Sequence, residues 1–271
     1  MPLNIKLGPA GNCITAKEKN TVGSFKRLAE LNLQSQEIEF VRGVYMSNQN
    51  AKEVGQAAKK LGIELSVHAP YYINLCNPEK IIDSERRILD SCERAFYMGA
   101  YIVVFHPGYY GSLSKDEAFD CVFSACNEMI EKLKKKKIEN VFLGLETTGK
   151  KNQFGTLEEI TKICKKLKQC KPVIDFSHIY ARQGGRINYD EVFDSVKILN
   201  LNHLHTHFSG IEFTTSGERR HLPIKNAKPD FKELANEILK RKLDITIICE
   251  SPLLEQDSLV MRQVFKDLLS C

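Results

Sequence analysis

The stretch IELSVHAPYYINL, residues 63–75, decides the fold. Residues 63–67 form a short apolar, β-favouring run that ends in His68. A small residue, a proline and the pair Tyr71-Tyr72 follow at once. A strand that ends in an imidazole under two aromatic rings reads as the edge of a site. Outward from it the same plan recurs. Strand-like runs occupy residues 4–7, 37–41, 63–67, 101–105, 141–145, 172–175, 201–207 and 245–249. Helix-period amphipathic stretches lie between most of them, at 50–60, 84–98, 115–136, 157–167, 231–241 and 258–269. Strands alternating with helices predict an α/β fold, a single (β/α)8 TIM barrel spanning residues 1–271 as one domain. The competing doubly wound sheet usually carries a glycine-rich phosphate loop after its first strand, and Gly8-Pro9-Ala10-Gly11 does not fit that pattern.

Length and composition agree with a large core: 271 residues, 42% hydrophobic and 27% charged. The net charge of +5 is mildly basic, which is compatible with a nucleic-acid partner without requiring one. Nine cysteines stand singly with no CxxC pair, and Met1-Pro2-Leu3-Asn4 opens no basic-then-apolar leader. No run is long and apolar enough to span a bilayer. The expectation is a reduced cytoplasmic or nuclear monomer, with free, mostly buried thiols and no membrane partner. The lysine run 134–137 ends a helix just before the fifth strand, on the face of such a barrel remote from its active site. Cations there also complement the helix dipole.

Active sites of such barrels sit at the C-terminal ends of the strands. Those ends hold His68, His106, Glu146, Asp175 with His178, the alternating His203, His205 and His207, then His221 and Glu250. All seven histidines of the chain are in this set. A lone strand-end histidine is more often a hydrogen-bonded core group, but here six strands direct an imidazole or carboxylate to one end. Buried carboxylates without partners are costly, and a divalent cation neutralises them. Imidazole with carboxylate suits Zn²⁺, with Mn²⁺ or Fe as alternatives. The set exceeds one tetrahedral shell, so two or three ions per chain are expected, with a bridging carboxylate.

The chain resembles the endonuclease IV family, metal-dependent apurinic/apyrimidinic endonucleases on a xylose-isomerase-like TIM barrel. The resemblance runs nearly end to end. It rests on His68 in HxxYxINL, His106 in FHPG, Glu146 in LET, Asp175-x-x-His178 and Glu250 in CES. It implies a first metal on His68, His106 and Glu146. Glu146, the expected catalytic residue, would bridge to a second metal completed by Asp175, Glu250 and either His205 or His207, and His178 and His221 would belong to a third. The family usually has an aspartate two residues before that last histidine. Here the position is Arg219, with Glu218 one residue further away, so either Glu218 reaches in or the third site is weakened. The implied reaction is hydrolysis of the phosphodiester 5′ to an abasic site in double-stranded DNA, leaving a 3′-hydroxyl and a 5′-deoxyribose phosphate. Tyr71 and Tyr72 would be the wedge in the base stack, with Tyr109, Tyr110 and Arg42 in the groove and Arg182 and Arg186 on phosphates. Two other readings stand: a sugar isomerase or epimerase on the same barrel, and a damaged-DNA-binding protein without turnover.

Overall fold

The computed structural model describes residues 4–270. Eight parallel strands form a nearly closed barrel: β1 (Ile5–Pro9), β2 (Ser35–Glu39), β3 (Glu64–His68), β4 (Ile102–Phe105), β5 (Phe142–Glu146), β6 (Cys170–Asp175), β7 (Leu204–Phe208) and β8 (Ile245–Cys249). Consecutive strands from β2 to β8 pair with one another, and β8 pairs back onto β1. The last seam, between β1 and β2, closes through Gln34 N–H to Leu7 O at 3.1 Å and Gly11 N–H to Glu37 O at 2.9 Å. Gly8 permits that approach, since a Cβ there would lie 1.6 Å from the Ser35 carbonyl oxygen. The Met1–Leu3 opening and the ninth cysteine, Cys271, lie outside the described residues.

Nine helices among the described residues clothe the strands: α1 (Thr21–Glu30), α2 (Asn48–Leu61), α3 (Ile81–Met98), α4 (Lys115–Lys135), α5 (Leu157–Lys166), α6 (Phe176–Arg182), α7 (Tyr189–Lys197), α8 (Phe231–Arg241) and α9 (Glu255–Leu269). Their starts follow local chemistry. Ser114 with Glu117 and Thr156 with Glu159 form capping boxes at α4 and α5. Phe25, Leu28, Ile88, Met129, Ile160, Leu234 and Met261 fill the layer between helices and strands. Inside the barrel the chemistry differs. Apolar packing forms one small cluster of Ile102, Val104 and Val173. Much of the remaining interior is polar, with Glu37, Ser66, His205 and Thr246 all buried. Barrels of this class ordinarily fill their interior with branched aliphatic layers, so this polarity needs a cause.

All eight predicted runs are strands, with ends shifted by a few residues. The second differs most in consequence, because it occupies Ser35–Glu39 rather than 37–41. Polar Ser35 and Gln36 open it. Gln36 hides its polarity by accepting from Ser24 Oγ at 2.7 Å and donating to Asn12 Oδ1 at 2.9 Å. The strand therefore ends on Glu39, and Arg42 already lies in the loop beyond. Additional short elements stand at the barrel mouth: the hairpin Gly210–Thr214 with Gly217–Leu222, and the pair Gly108–Tyr109 with Gln153–Phe154. Lys134 and Lys136 pair with Glu131 and Glu93 at the opposite end, before β5. The eight described cysteines are free, and all but Cys121 are buried. Among the described residues, no helix is long and apolar enough to cross a membrane.

Candidate metal centre

Glu146 ends β5 with its carboxylate fully buried at the barrel mouth. Its two oxygens face different partners. Oε2 lies 3.2 Å from His68 Nε2 and 2.9 Å from His106 Nε2. Oε1 lies 3.2 Å from both His178 Nδ1 and His207 Nδ1. His207 Nδ1 is also 3.2 Å from Glu250 Oε1, and His178 Nδ1 is 3.5 Å from Asp175 Oδ2. One carboxylate thus joins His68 and His106 on one side to Asp175, His178, His207 and Glu250 on the other. In each of the groups His68–His106–Glu146, Glu146–Asp175–His178–Glu250 and His178–Glu218–His221, the donor atoms lie within 4.8 Å of one another.

The charges explain why the barrel tolerates this. Burial opposes ionisation of Glu146, but His106 and His207 hold it well below the usual carboxylate range. Burial opposes charge on His68, and Glu146 with Glu39 still raises it to about 10. His178 and His207 are held well above an ordinary imidazole, against burial, by Asp175 and by Glu37 respectively. Burial pushes Asp175 and Glu39 up to about 8. The acids and imidazoles of the cluster are thus perturbed chiefly by burial and by one another. Asp175 Oδ2 and Glu39 Oε1 are buried without a hydrogen-bond partner. Nitrogen and oxygen donors, converging and partly unpartnered, fit a divalent transition metal.

The structure separates the two histidines left open on the seventh strand. His207 enters the cluster. His205 lies one layer below, with Nε2 2.9 Å from Glu37 Oε2 and Nδ1 2.6 Å from the Tyr101 hydroxyl. Two residues back along the strand, His205 points to the same side but one layer deeper, where its donor atom lies with those of Glu37 and His207 in a further group able to hold a metal. His203 is lower still, bonded to Thr246 Oγ1 at 2.9 Å.

The hairpin shows where Glu218 and Arg219 stand. Glu212 pairs with Arg220 and Phe213 with Glu218, so Arg219 is the extra residue of a β-bulge. Strict alternation would send positions 218 and 221 to opposite faces. The bulge returns them to one face, with Glu218 Oε2 3.4 Å from His178 Nε2 and Oε1 3.8 Å from His221 Nε2. Gly149 makes room, since a Cβ there would meet Glu218 Cβ at 2.5 Å. Arg219 points outward to Glu212 at 2.6 Å.

A cleft of about 390 Å³ opens above the cluster, lined by Glu39, His68, Tyr71, His106, Tyr109, Lys150, Gln153 and Glu218 among others. Tyr71 and Tyr72 are each 61% exposed, so neither caps the core. Arg42 is exposed on a neighbouring depression with Tyr45. Arg182 is committed elsewhere: its guanidinium donates to the carbonyls of Thr148, Lys150, Lys151 and Gln153 and so holds that loop. Tyr110 is likewise tied to Glu159 at 2.7 Å, and Arg186 is exposed. Glu37, Glu39, Lys150 and Gln153 escaped the sequence reading. The acids at alternate positions of Glu37-Ile38-Glu39 were the available signal, because both face the barrel interior.

Comparison with known proteins places these features. The family described as the xylose isomerase-like TIM barrel matches residues 25–266. An uncharacterized protein of Methanocaldococcus jannaschii is 38% identical over 96% of this chain and 97% of its own length. A probable endonuclease 4 of Mycoplasma mobile is 28% identical over 70% of this chain and 69% of its own. Among solved structures, a D-tagatose 3-epimerase-like protein superposes with TM-score 0.74 at 23% identity over 98% of this chain and 97% of that one. Endonuclease IV from Thermus thermophilus does so with TM-score 0.72 at 19% identity over 99% of each. At these identities the structural likeness shows the fold alone.

If Glu218 rather than Arg219 belongs to the centre, Glu218→Ala is expected to weaken divalent-metal binding at one site by at least about tenfold, the lower end of what loss of a merely supporting group costs. Arg219→Ala will leave every site within about twofold. Chelator competition measures both, and an equal loss from the two variants would refute the bulge assignment.

Proposed function

The chain belongs to the xylose isomerase-like TIM barrel family, and from that premise we propose that it is a zinc-dependent DNA-repair endonuclease. Its substrate would be double-stranded DNA containing abasic sites, cut 5′ to the lesion to leave a 3′-hydroxyl and a 5′-deoxyribose phosphate. The observation that carries this reading is the division of labour in Glu146, whose two oxygens serve two donor groups. A third group, His178–Glu218–His221, adjoins them.

His68, His106 and Glu146 would hold one ion, Glu146 with Asp175, His207 and Glu250 a second, and His178, Glu218 and His221 a third. Ions held there would supply neutralisation of phosphoryl charge and a water acidic enough to attack at neutral pH. The side chains do the rest. Glu146 spreads one negative charge over two positions and keeps them adjacent. Lys150 brings a cation to a cleft rich in acids and imidazoles, where a phosphate would enter. Tyr71 stands edge-on to His68, with ring centroids 6.1 Å apart, so the wedge is joined directly to the centre. An abasic nucleotide has no base to unstack, which lowers the cost of turning it into this cleft. Tyr71 and Tyr72 would occupy the gap it leaves.

A second reading has one observation in its favour, the close fold likeness to the D-tagatose 3-epimerase-like protein. Sugar epimerisation would employ Glu146, Asp175 and Glu250 around one or two ions, but it leaves the His178–Glu218–His221 group without a task. Incision of an abasic duplex, against epimerisation of a ketose, each with and without chelator, separates the two.

Glu146→Gln is expected to lower incision by at least ~10³-fold, the order lost when a charge-stabilising group is removed. Abasic-duplex affinity should stay within about threefold, and near-normal incision would refute the bridge. Tyr72→Ala is expected to weaken abasic-duplex binding about tenfold, within the range for loss of an aromatic stacking partner, with zinc content unaltered. Unchanged affinity in a binding titration would remove Tyr72 from the wedge.

A further inference from the structure

We propose that Glu37 is a positioning residue for the metal centre: from beneath the barrel mouth it fixes which nitrogen of His207 carries the proton. The inference rests on the metal-centre reading and adds a requirement to it. A histidine can offer a lone pair to a cation at Nδ1 only if its proton sits on Nε2. His207 turns Nδ1 up toward Glu146 and Glu250, at 3.2 Å from each. Its Nε2 turns down and faces Glu37 Oε1 at 2.9 Å. The contact is too bent to count as a hydrogen bond, and both atoms are buried with no hydrogen-bond partner, so this 2.9 Å approach is what relates them.

The directions of the other bonds around Glu37 follow from its chemistry. An ionised carboxylate accepts and never donates. Glu37 Oε2 accepts from Ser66 Oγ at 2.7 Å and faces His205 Nε2 at 2.9 Å, so His205 carries its proton on Nε2. The bare Nδ1 of His205 then accepts from the Tyr101 hydroxyl at 2.6 Å. Oε2 is thus saturated by two donors, which leaves Oε1 to His207 alone. Glu37 is fully buried at a position whose neighbour Ile38 is core, so the carboxylate has no access to solvent as an alternative partner. Carboxylates that orient metal-binding imidazoles in this way are a recognised second layer of support.

A carboxamide cannot reproduce this arrangement. In Glu37→Gln the single carbonyl oxygen can replace Oε2, where Ser66 and His205 both donate. The amide N–H would then face His207 Nε2 and drive its proton to Nδ1, the nitrogen that must be bare. The test compares the wild-type full chain with Glu37→Gln, both loaded with Zn²⁺. Zinc per chain is counted by plasma mass spectrometry, affinity is measured by chelator competition, and proton positions come from long-range ¹H–¹⁵N spectra of ¹⁵N-histidine-labelled protein. The expected wild-type spectrum has the His207 proton on Nε2. In Glu37→Gln one zinc site is expected to weaken about 10- to 100-fold, the loss typical for such second-layer partners, with the others unchanged. Equal affinities at every site in the two proteins would overturn the proposal. So would a zinc-loaded wild-type His207 with no proton on Nε2, which would make Glu37–His205–His207 a metal seat instead. If Glu37→Gln does not fold, the wild-type spectrum alone decides. A wild-type chain that binds no zinc overturns the metal centre itself, a result distinct from a centre that binds zinc without needing Glu37.

Discussion

One buried carboxylate governs this molecule. Glu146 is ionised at the mouth of the barrel, out of reach of water, and it must be surrounded by positive charge. Histidines on β3 and β7 and at the start of α6, together with His106, lie directly against it. A folded chain that gathers so many titratable groups around one acid holds a costly arrangement, which a divalent cation on each side of the carboxylate would relieve. The polar interior has the same origin. Glu37, His205 and Tyr101 occupy space that aliphatic side chains would ordinarily fill, because the layer above needs oriented imidazoles. Stability is spent there on orientation.

The fold is well adapted to this demand. Eight parallel strands end at one rim, so a single residue at each tip suffices to build a dense cluster from positions far apart in sequence. The loops above then set access. Arg182, bonded to the carbonyls of residues 148, 150, 151 and 153, holds the loop that presents Lys150 and Gln153 to the cleft. The same scaffold serves sugar chemistry in its fold neighbours, so the architecture is silent on the reaction. What bears on the reaction is the number of donor groups gathered around Glu146 and His178.

Much of this was legible in the sequence for a physical reason. Strands buried on both faces are short, apolar and β-branched, so a polar residue at the end of such a run stands out, as His68, His106, Glu146, Asp175 and Glu250 do. Where the run itself is polar, the signal fails. Ser35 and Gln36 look like loop and are strand, which moved the apparent end of β2 from Glu39 to Val41 and hid both of its acids. Periodicity could orient His205 and His207 to the same side but could not give their depth, which depends on the stagger of β7 against β8 and β6. The Glu218 position was beyond any periodic rule, because a β-bulge changes the count by one and only the partner strand reveals it. Arg182 had the charge expected of a phosphate contact, yet nothing local to it foretold that residues 148–153 would offer it their carbonyls.

The account stands or falls on whether Glu146 is shared between two ions. Anomalous diffraction at the zinc edge, from crystals of zinc-loaded protein, tests this directly. Two peaks about 3.5–4 Å apart, the usual separation in two-metal sites, are predicted, one beside each oxygen of Glu146. A single peak, or peaks lying away from that carboxylate, would contradict it.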